Sequence, residues 1–316
     1  MSAVKHSPRI VVTPPAFCSS SVLRDEMARL FPGTRFNDKG RYLTEEEFIT
    51  FCRDAEGVLV GRDPVNENFL CQLPGLKIIS KYGVGLDNVD QESLAKHQVV
   101  LGWTPGVNRR SVAEMTLCFI LGLCHNIFST GHSLKQGSWA RGGGEQLEGK
   151  VVGIVGCGNI GSEVIRLLAP FGCRILVHDI LNKAEFCREY GASEVGLDEL
   201  VENADIISLH VPLTEKTRRM FDNSVLKRMK RNAFLVNTSR GEVVVESDLK
   251  SALQERLIAG AALDVFSHEP PSDLEFLSLP NLMVTPHIGG NALQAVEAMG
   301  RSAISHLVEF FNTQNL

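Results

Sequence analysis

Four short segments of the chain hold residue types that could do chemistry together. The first is Gly156-Cys157-Gly158-Asn159-Ile160-Gly161, a G-x-G-x-x-G run placed directly after the apolar stretch VVGIV. The amphipathic stretch SEVIRLLAPFG follows it, and the next apolar run, RILVH, leads to an acid, Asp179. In a strand–turn–helix setting Gly156 permits the tight turn, Gly158 lets the backbone approach a pyrophosphate, and Gly161 lets helix and strand pack closely. The N–H groups of the helix start, around Asn159 and Ile160, then face the phosphates with a partial positive charge. An acid at the position of Asp179 accepts hydrogen bonds from adenosine ribose hydroxyls and repels a 2′-phosphate. This predicts NAD rather than NADP.

The other three segments each follow an apolar run. Asn237-Thr238-Ser239-Arg240-Gly241 offers a guanidinium that can clamp a carboxylate at two points, and Gly241 keeps the approach open. Asp264-Val265-Phe266-Ser267-His268-Glu269-Pro270 supplies a carboxylate, Glu269. Thr285-Pro286-His287-Ile288-Gly289-Gly290 holds a histidine in a restricted turn. Reduction of a 2-oxo acid needs a hydride donor, a cation for the substrate carboxylate and carbonyl, and a proton donor that titrates near neutrality. Arg240, Glu269 and His287 could supply the protein's share, with Glu269 fixing the imidazole tautomer. On residue type alone His178, His210 and His268 compete with His287 for the proton-donor role.

These segments need a scaffold that delivers strand ends to one place. Residues 9–12, 57–60, 76–80 and 99–102 read as strands, and residues 20–31, 44–52 and 66–73 as helices. Thr44 and either Asn66 or Asn68 are the expected caps. One long apolar helix is expected over residues 111–134. A second series has strands at 151–155, 174–178, 205–211, 234–238, 260–266 and 282–286, and a last helix spans 292–311. Strand–helix alternation predicts α/β architecture with two doubly wound parallel-sheet domains, one of Rossmann type for the cofactor and a smaller one.

Composition narrows the class further. At 316 residues the chain suits two domains. A net charge of −5 gives no general electrostatic reason to bind nucleic acid or an acidic membrane. The eight cysteines form no C-x-x-C pair and no array with zinc spacing, so no metal is expected and the thiols read as buried hydrophobes in a reducing compartment. The N-terminal stretch lacks the apolar run of a signal peptide, and the apolar stretch 112–128 carries polar residues and is too short to span a bilayer. The expected location is the cytoplasm.

The segments above, with Lys81-Tyr82-Gly83-Val84-Gly85-Leu86-Asp87-Asn88-Val89-Asp90, Ser111-Val112-Ala113-Glu114 and Ala262-Leu263-Asp264-Val265-Phe266, resemble the D-isomer-specific 2-hydroxyacid dehydrogenase family over most of the chain. The resemblance implies that Arg240, Glu269 and His287 form the catalytic set, with His287 as acid/base. It implies that His210, Val211, Pro212, Thr217, Thr238, Ser239, Asp264 and Gly290 lie around NAD, and that Val84 and Gly85 offer backbone N–H groups to the substrate carboxylate. Lys81, Tyr82 and Gly83 belong to the same expected substrate loop. It further implies a flavodoxin-like substrate domain made of residues 1–104 and 290–316, an NAD-binding domain of residues 105–289, and a homodimer joined through the cofactor domains.

Within the family the pattern is similar to phosphoglycerate dehydrogenases, although the chain ends without their regulatory C-terminal domain and carries Lys81-Tyr82 before the glycine turn. Arg62, Lys81, Arg109 and Arg110 follow predicted strands or turns, so a second anionic group on the substrate, a phosphate or phosphonate, is expected. The alternatives are a small uncharged 2-oxo acid such as glyoxylate or hydroxypyruvate, and an NAD-responsive binding protein of corepressor type.

Overall fold

A computed structural model describes residues 8–139 and 141–313. It divides into two compact units, one made of residues up to 108 together with those from 290 onward, the other of residues 109–289.

The first unit is built on five short parallel strands, β1 (Ile10–Val12), β2 (Arg35–Phe36), β3 (Gly57–Val60), β4 (Ile78–Lys81) and β5 (Val100–Gly102), in the order β2-β1-β3-β4-β5. That is the flavodoxin-like order, with its reversal point between β1 and β3. β1, β3 and β4 are buried throughout, as expected of parallel strands covered on both faces. Thr44 caps its helix by accepting from Glu47 N–H while the Glu47 carboxylate accepts from Thr44 N–H. Asn66, not Asn68, caps the next helix. The final helix, Leu293–Thr313, closes this unit: Ala303, Ile304 and Leu307 join Ile10, Leu23 and Ile78 in one core, and Ser80 Oγ donates to Ala303 O at 2.7 Å.

The second unit has seven parallel strands: β6 (Val151–Val155), β7 (Arg174–His178), β8 (Ser193–Glu194), β9 (Ile206–Leu209), β10 (Phe234–Asn237), β11 (Gly260–Leu263) and β12 (Leu282–Val284). Their order, β12-β11-β10-β9-β6-β7-β8, is the doubly wound Rossmann arrangement with one added strand, and it reverses between β6 and β9. One apolar core lies under each face. The helices Arg109–Cys124 and Asn159–Leu168 supply Ala113, Phe119, Ile120, Val164 and Ile165 to one of them. Both sheets bear out the expected fold class.

Three details differ from the sequence reading. The single helix expected over 111–134 is two helices, Arg109–Cys124 and Ile127–Lys135, bent by 68°. The break falls at Asn126, which takes a left-handed backbone (φ +58°) that asparagine tolerates better than most residues. The apolar pattern continues across the break, so periodicity alone does not reveal it. The strands β2 and β8 are two residues each, too short to show alternation. The strands expected at 205–211 and 260–266 stop at Leu209 and Leu263, and the leftover residues form the turns that carry the site. Among the described residues no single helix is long and apolar enough to cross a membrane.

Candidate active site

In the second unit every segment singled out for chemistry lies at the carboxyl end of a strand. Such ends are where open parallel sheets present ligand-binding loops. The glycine turn follows β6. Gly156 has φ +95°, and a Cβ there would meet the His210 carbonyl carbon at 2.8 Å. At Gly161 a Cβ would fall 2.0 Å from Gly156 O, so the helix can approach the strand only without a side chain. Gly158 differs: apart from its own chain neighbours, no atom of the described residues lies within 4 Å of the position its Cβ would take. Packing inside the protein does not require glycine at 158, whereas a ligand seated against the loop would. No side chain caps the helix Asn159–Leu168, so its leading N–H groups suit an anion. The donor set and the open space at Gly158 fit a dinucleotide.

Asp179 follows β7. Its Oδ2 accepts from Cys157 N at 2.7 Å and its Oδ1 from Leu181 N at 2.8 Å, so one carboxylate pins the glycine loop and its own turn. His210 follows β9. Its Nε2 pairs with Ser208 Oγ at 2.9 Å, while Nδ1 is buried without a hydrogen-bond partner among the described residues. Burial pushes this imidazole down to about 3, so it is neutral near pH 7. Val211 and Pro212 continue the loop, and Thr217 Oγ1 donates to Pro212 O at 2.6 Å, which folds residues 212–217 back on themselves.

After β10 the buried Asn237 side chain shapes the turn. Its Oδ1 accepts from Ser239 N at 3.0 Å and Ser239 Oγ at 2.8 Å, and its Nδ2 donates to Arg240 O at 2.8 Å. Thr238 Oγ1 meets Thr116 Oγ1 at 3.0 Å, and Arg240 Nη1 donates to Ser239 O at 2.6 Å. At Gly241 a Cβ would fall 1.9 Å from the Phe266 carbonyl carbon. The Arg240 turn and the Phe266–Ser267 backbone are thus packed without a side chain between them.

The turn after β12 carries His287, itself left-handed at φ +54°. Asp264, 1% exposed at the end of β11, holds that turn. Its Oδ1 accepts from Thr285 Oγ1 at 2.6 Å and Ile288 N at 2.8 Å, and its Oδ2 from Gly289 N at 2.8 Å. Ser111 Oγ adds a bond to Gly289 O at 2.5 Å. His287 Nδ1 lies 2.9 and 2.8 Å from the two Glu269 oxygens, and Glu269 Oε1 also accepts from Phe266 N at 3.2 Å. An ionised carboxylate only accepts, so Nδ1 carries the hydrogen and Nε2 is the nitrogen a substrate would meet. With 33% and 22% of their side chains exposed, His287 and Glu269 are reachable yet sheltered. His178 bonds through Nδ1 to Val195 O at 3.3 Å, and among the described residues no bond to a carboxylate is found for it or for His210. Sequence reasoning passed over the organising roles of Asn237, Ser111 and Thr285. All three stand inside motifs it had singled out, but hydrogen bonding across turns leaves no periodic trace.

In the first unit two residues of the expected substrate loop, Lys81 and Tyr82, have buried side chains. Lys81 is 5% exposed. Its ammonium donates to Gly61 O and, at 2.8 Å, to Asn88 Oδ1, bracketing two loops inside the unit. The buried Asp63, whose carboxyl is raised by burial, takes part of that charge. Tyr82 is a core residue packed edge-on against Phe17 at 6.1 Å between ring centroids. Both side chains are turned inward because β4 is covered on both faces. Gly83 begins the turn proper (φ +107°), and Val84 O accepts from the Trp103 indole at 3.1 Å. Arg62 lies exposed, 5.0 Å over the Tyr42 ring. In the second unit Arg110 is engaged by Glu114 at 2.6 Å and Glu163 at 3.0 Å. Gly290 belongs to the first unit, where a Cβ would meet Asn108 Nδ2 at 2.8 Å.

Comparison with known proteins gives this geometry a family. Residues 117–289 match the D-isomer specific 2-hydroxyacid dehydrogenase, NAD binding domain, family. A glyoxylate reductase of Korarchaeum cryptofilum is 36% identical over 255 residues, covering 78% of this chain and 77% of that protein. A D-3-phosphoglycerate dehydrogenase of Methanocaldococcus jannaschii is 38% identical over 263 residues, covering 82% of this chain and 50% of that protein. The structure of D-lactate dehydrogenase from Aquifex aeolicus, complexed with NAD and lactic acid, superposes with a TM-score of 0.84 at 26% identity over 96% of both chains. A family match spanning the whole second sheet, with relatives above one-third identity along most of the chain, leads to one conclusion: this chain belongs to the D-isomer specific 2-hydroxyacid dehydrogenases, NAD-dependent oxidoreductases.

Proposed function

We propose that the protein reduces a small 2-oxo acid without a charged side chain, of the glyoxylate or hydroxypyruvate kind, to the 2-hydroxy acid, in the D configuration where the product is chiral. The observation that carries the catalytic reading is the His287–Glu269 pair, with Nδ1 on both carboxylate oxygens and the carboxylate itself held by Phe266 N–H. When bound, the nicotinamide cofactor supplies the hydride. His287 donates a proton from Nε2 to the carbonyl oxygen, and Glu269 stabilises the imidazolium before that transfer and fixes its tautomer after it. Arg240 holds the substrate carboxylate and polarises the carbonyl. The glycine loop and Asp179 hold the dinucleotide, with the 212–217 loop, Thr238, Ser239 and Asp264 around it. The first unit is assigned to the substrate and the second to the cofactor.

Two of the four cations support the choice of an uncharged side chain. A dianionic substrate was expected from Arg62, Lys81, Arg109 and Arg110. Lys81 is spent inside the first unit and Arg110 is paired with two carboxylates. The relatives named glyoxylate reductase agree with this choice, whereas those named D-3-phosphoglycerate dehydrogenase keep the phosphorylated acid in the panel. The test is NADH oxidation with glyoxylate, hydroxypyruvate, pyruvate and phosphohydroxypyruvate, for wild type and His287→Ala. The variant should lose at least about a hundredfold in kcat, the scale for a general acid, while still binding NADH. Wild-type turnover in the variant removes His287 from the mechanism, and a kcat/KM highest for phosphohydroxypyruvate overturns the substrate choice.

The same reading includes a homodimer. Ile127, Phe128, Leu134 and Trp139 are 60, 47, 52 and 78% exposed along the helix Ile127–Lys135 and just after it. An apolar face of this kind is what a second copy would cover. Light scattering should give twice the chain mass, and Trp139→Asp with Phe128→Asp should give a monomer. The eight free thiols suit the reducing cytoplasm.

A further inference from the structure

A second cluster of chemically active side chains lies in the first unit, away from every residue used above. Glu67 and Cys71 occupy successive turns of one face of the helix Glu67–Cys71, and His97 ends the helix Gln91–Lys96. Their ligand atoms converge: His97 Nε2 lies 3.2 Å from Glu67 Oε1, Cys71 Sγ lies 3.4 Å from the same oxygen, and Sγ and Nε2 are 3.8 Å apart. A zinc ion bound by one thiolate, one imidazole and one carboxylate at tetrahedral angles separates those atoms by roughly 3.3–3.6 Å. The observed triangle is within a few tenths of an ångström of that figure on every edge. The donor types also match. Thiolate and imidazole select borderline metals over magnesium or calcium, and the charges of thiolate and carboxylate together equal that of a divalent ion.

We propose that Glu67, Cys71 and His97 form a three-ligand site for a divalent transition metal, zinc fitting best, that ties these two helices together and leaves a fourth position for water. Lys96 is part of the design. Its ammonium lies 2.5 Å from Glu67 Oε1 and occupies the charge position a metal would take. Its side chain is 69% exposed and can swing into solvent. The site escapes a spacing search because its third ligand comes from a different helix 26 residues further along the chain.

Cobalt titration of the reduced full-length protein tests this. One equivalent should bind with a thiolate-to-cobalt charge-transfer band and intense visible bands of tetrahedral type, and zinc should displace it. Cys71→Ser should abolish the charge-transfer band, Cys118→Ser, at the other exposed cysteine, should keep it, and Lys96→Ala should tighten binding. If Cys71→Ser fails to fold, His97→Gln should weaken binding at least tenfold. Absence of the band at about millimolar cobalt, or its survival in Cys71→Ser, overturns the proposal. NADH oxidation by metal-free Cys71→Ser should equal wild type, so failure here is separable from failure of the catalytic reading.

Discussion

Replacing Asp264 with asparagine tests how the His287 turn is held. The carboxylate accepts three hydrogen bonds at 2.6–2.8 Å from Thr285, Ile288 and Gly289 and is 1% exposed, so water cannot substitute. The amide keeps the size but loses the charge, and its NH2 group must face at least one backbone N–H. One bond to a charged acceptor is lost outright, at about 1.5–3 kcal/mol, and the others weaken to neutral strength, so the turn loses on the order of 3 kcal/mol. His287 lies two residues from Thr285 in the same turn, so kcat should fall, and a misplacement of about 1 Å would cost about a hundredfold in rate. The assay is kcat for NADH oxidation at saturating cofactor, read beside amide hydrogen exchange of residues 285–289. Exchange there should quicken and the melting temperature should fall by several degrees. A kcat within about twofold of wild type, with unchanged exchange, would show that the turn holds itself and that Asp264 does not position His287.

Other perturbations separate ligand binding from packing. Gly158→Val should weaken NADH binding at least about tenfold without lowering the melting temperature, because among the described residues nothing beyond its chain neighbours lies within 4 Å of the new Cβ. Gly241→Ala should do the reverse, costing stability and soluble yield, since its Cβ would sit 1.9 Å from the Phe266 backbone; an unchanged melting temperature refutes that packing argument. Arg240→Lys should lower kcat/KM at least about tenfold, because an ammonium cannot reproduce a planar two-point clamp. His210 is neutral when folded and titrates near 3 there, against about 6.5 unfolded, so its contribution to stability is complete above about pH 6.5 and declines as pH falls toward 3. His210→Gln should shrink the drop in urea midpoint between about pH 7 and pH 5; an identical drop in both proteins removes His210 from the acid response.

The strands of the second unit other than β8 were legible because a run of consecutive apolar residues bounded by turn residues has few other readings. Val151–Val155 and Arg174–His178 end where the pattern places them. The Glu269–His287 pairing was legible only as a possibility among several histidines, since 18 residues separate the partners and nothing local records the contact. The inward turn of Lys81 was invisible for a related reason. A lysine after a strand reads as surface until the loops carrying Gly61 and Asn88 are seen to surround it. Asn126 shows the opposite limit: one residue in a left-handed conformation bends a helix whose apolar pattern runs on unbroken.

The way the first unit is closed sets an order of assembly. Its last layer is the helix Leu293–Thr313, bonded to β4 across 223 residues of chain by Ser80 and Ala303. During synthesis the strands β1–β5 emerge before this helix, so the faces of Ile10, Leu23 and Ile78 that it covers stay uncovered until residues 293–313 have been made. The second unit, continuous from 109 to 289, needs no such wait. The second unit, whose last residue is 289, can therefore fold ahead of the first, whose helix Leu293–Thr313 follows it in the chain, and a nascent chain stalled before residue 293 would carry an open apolar sheet face for chaperones to shield. Truncation of the final helix should thus leave the second unit's cooperative melting in place while the first becomes prone to aggregation.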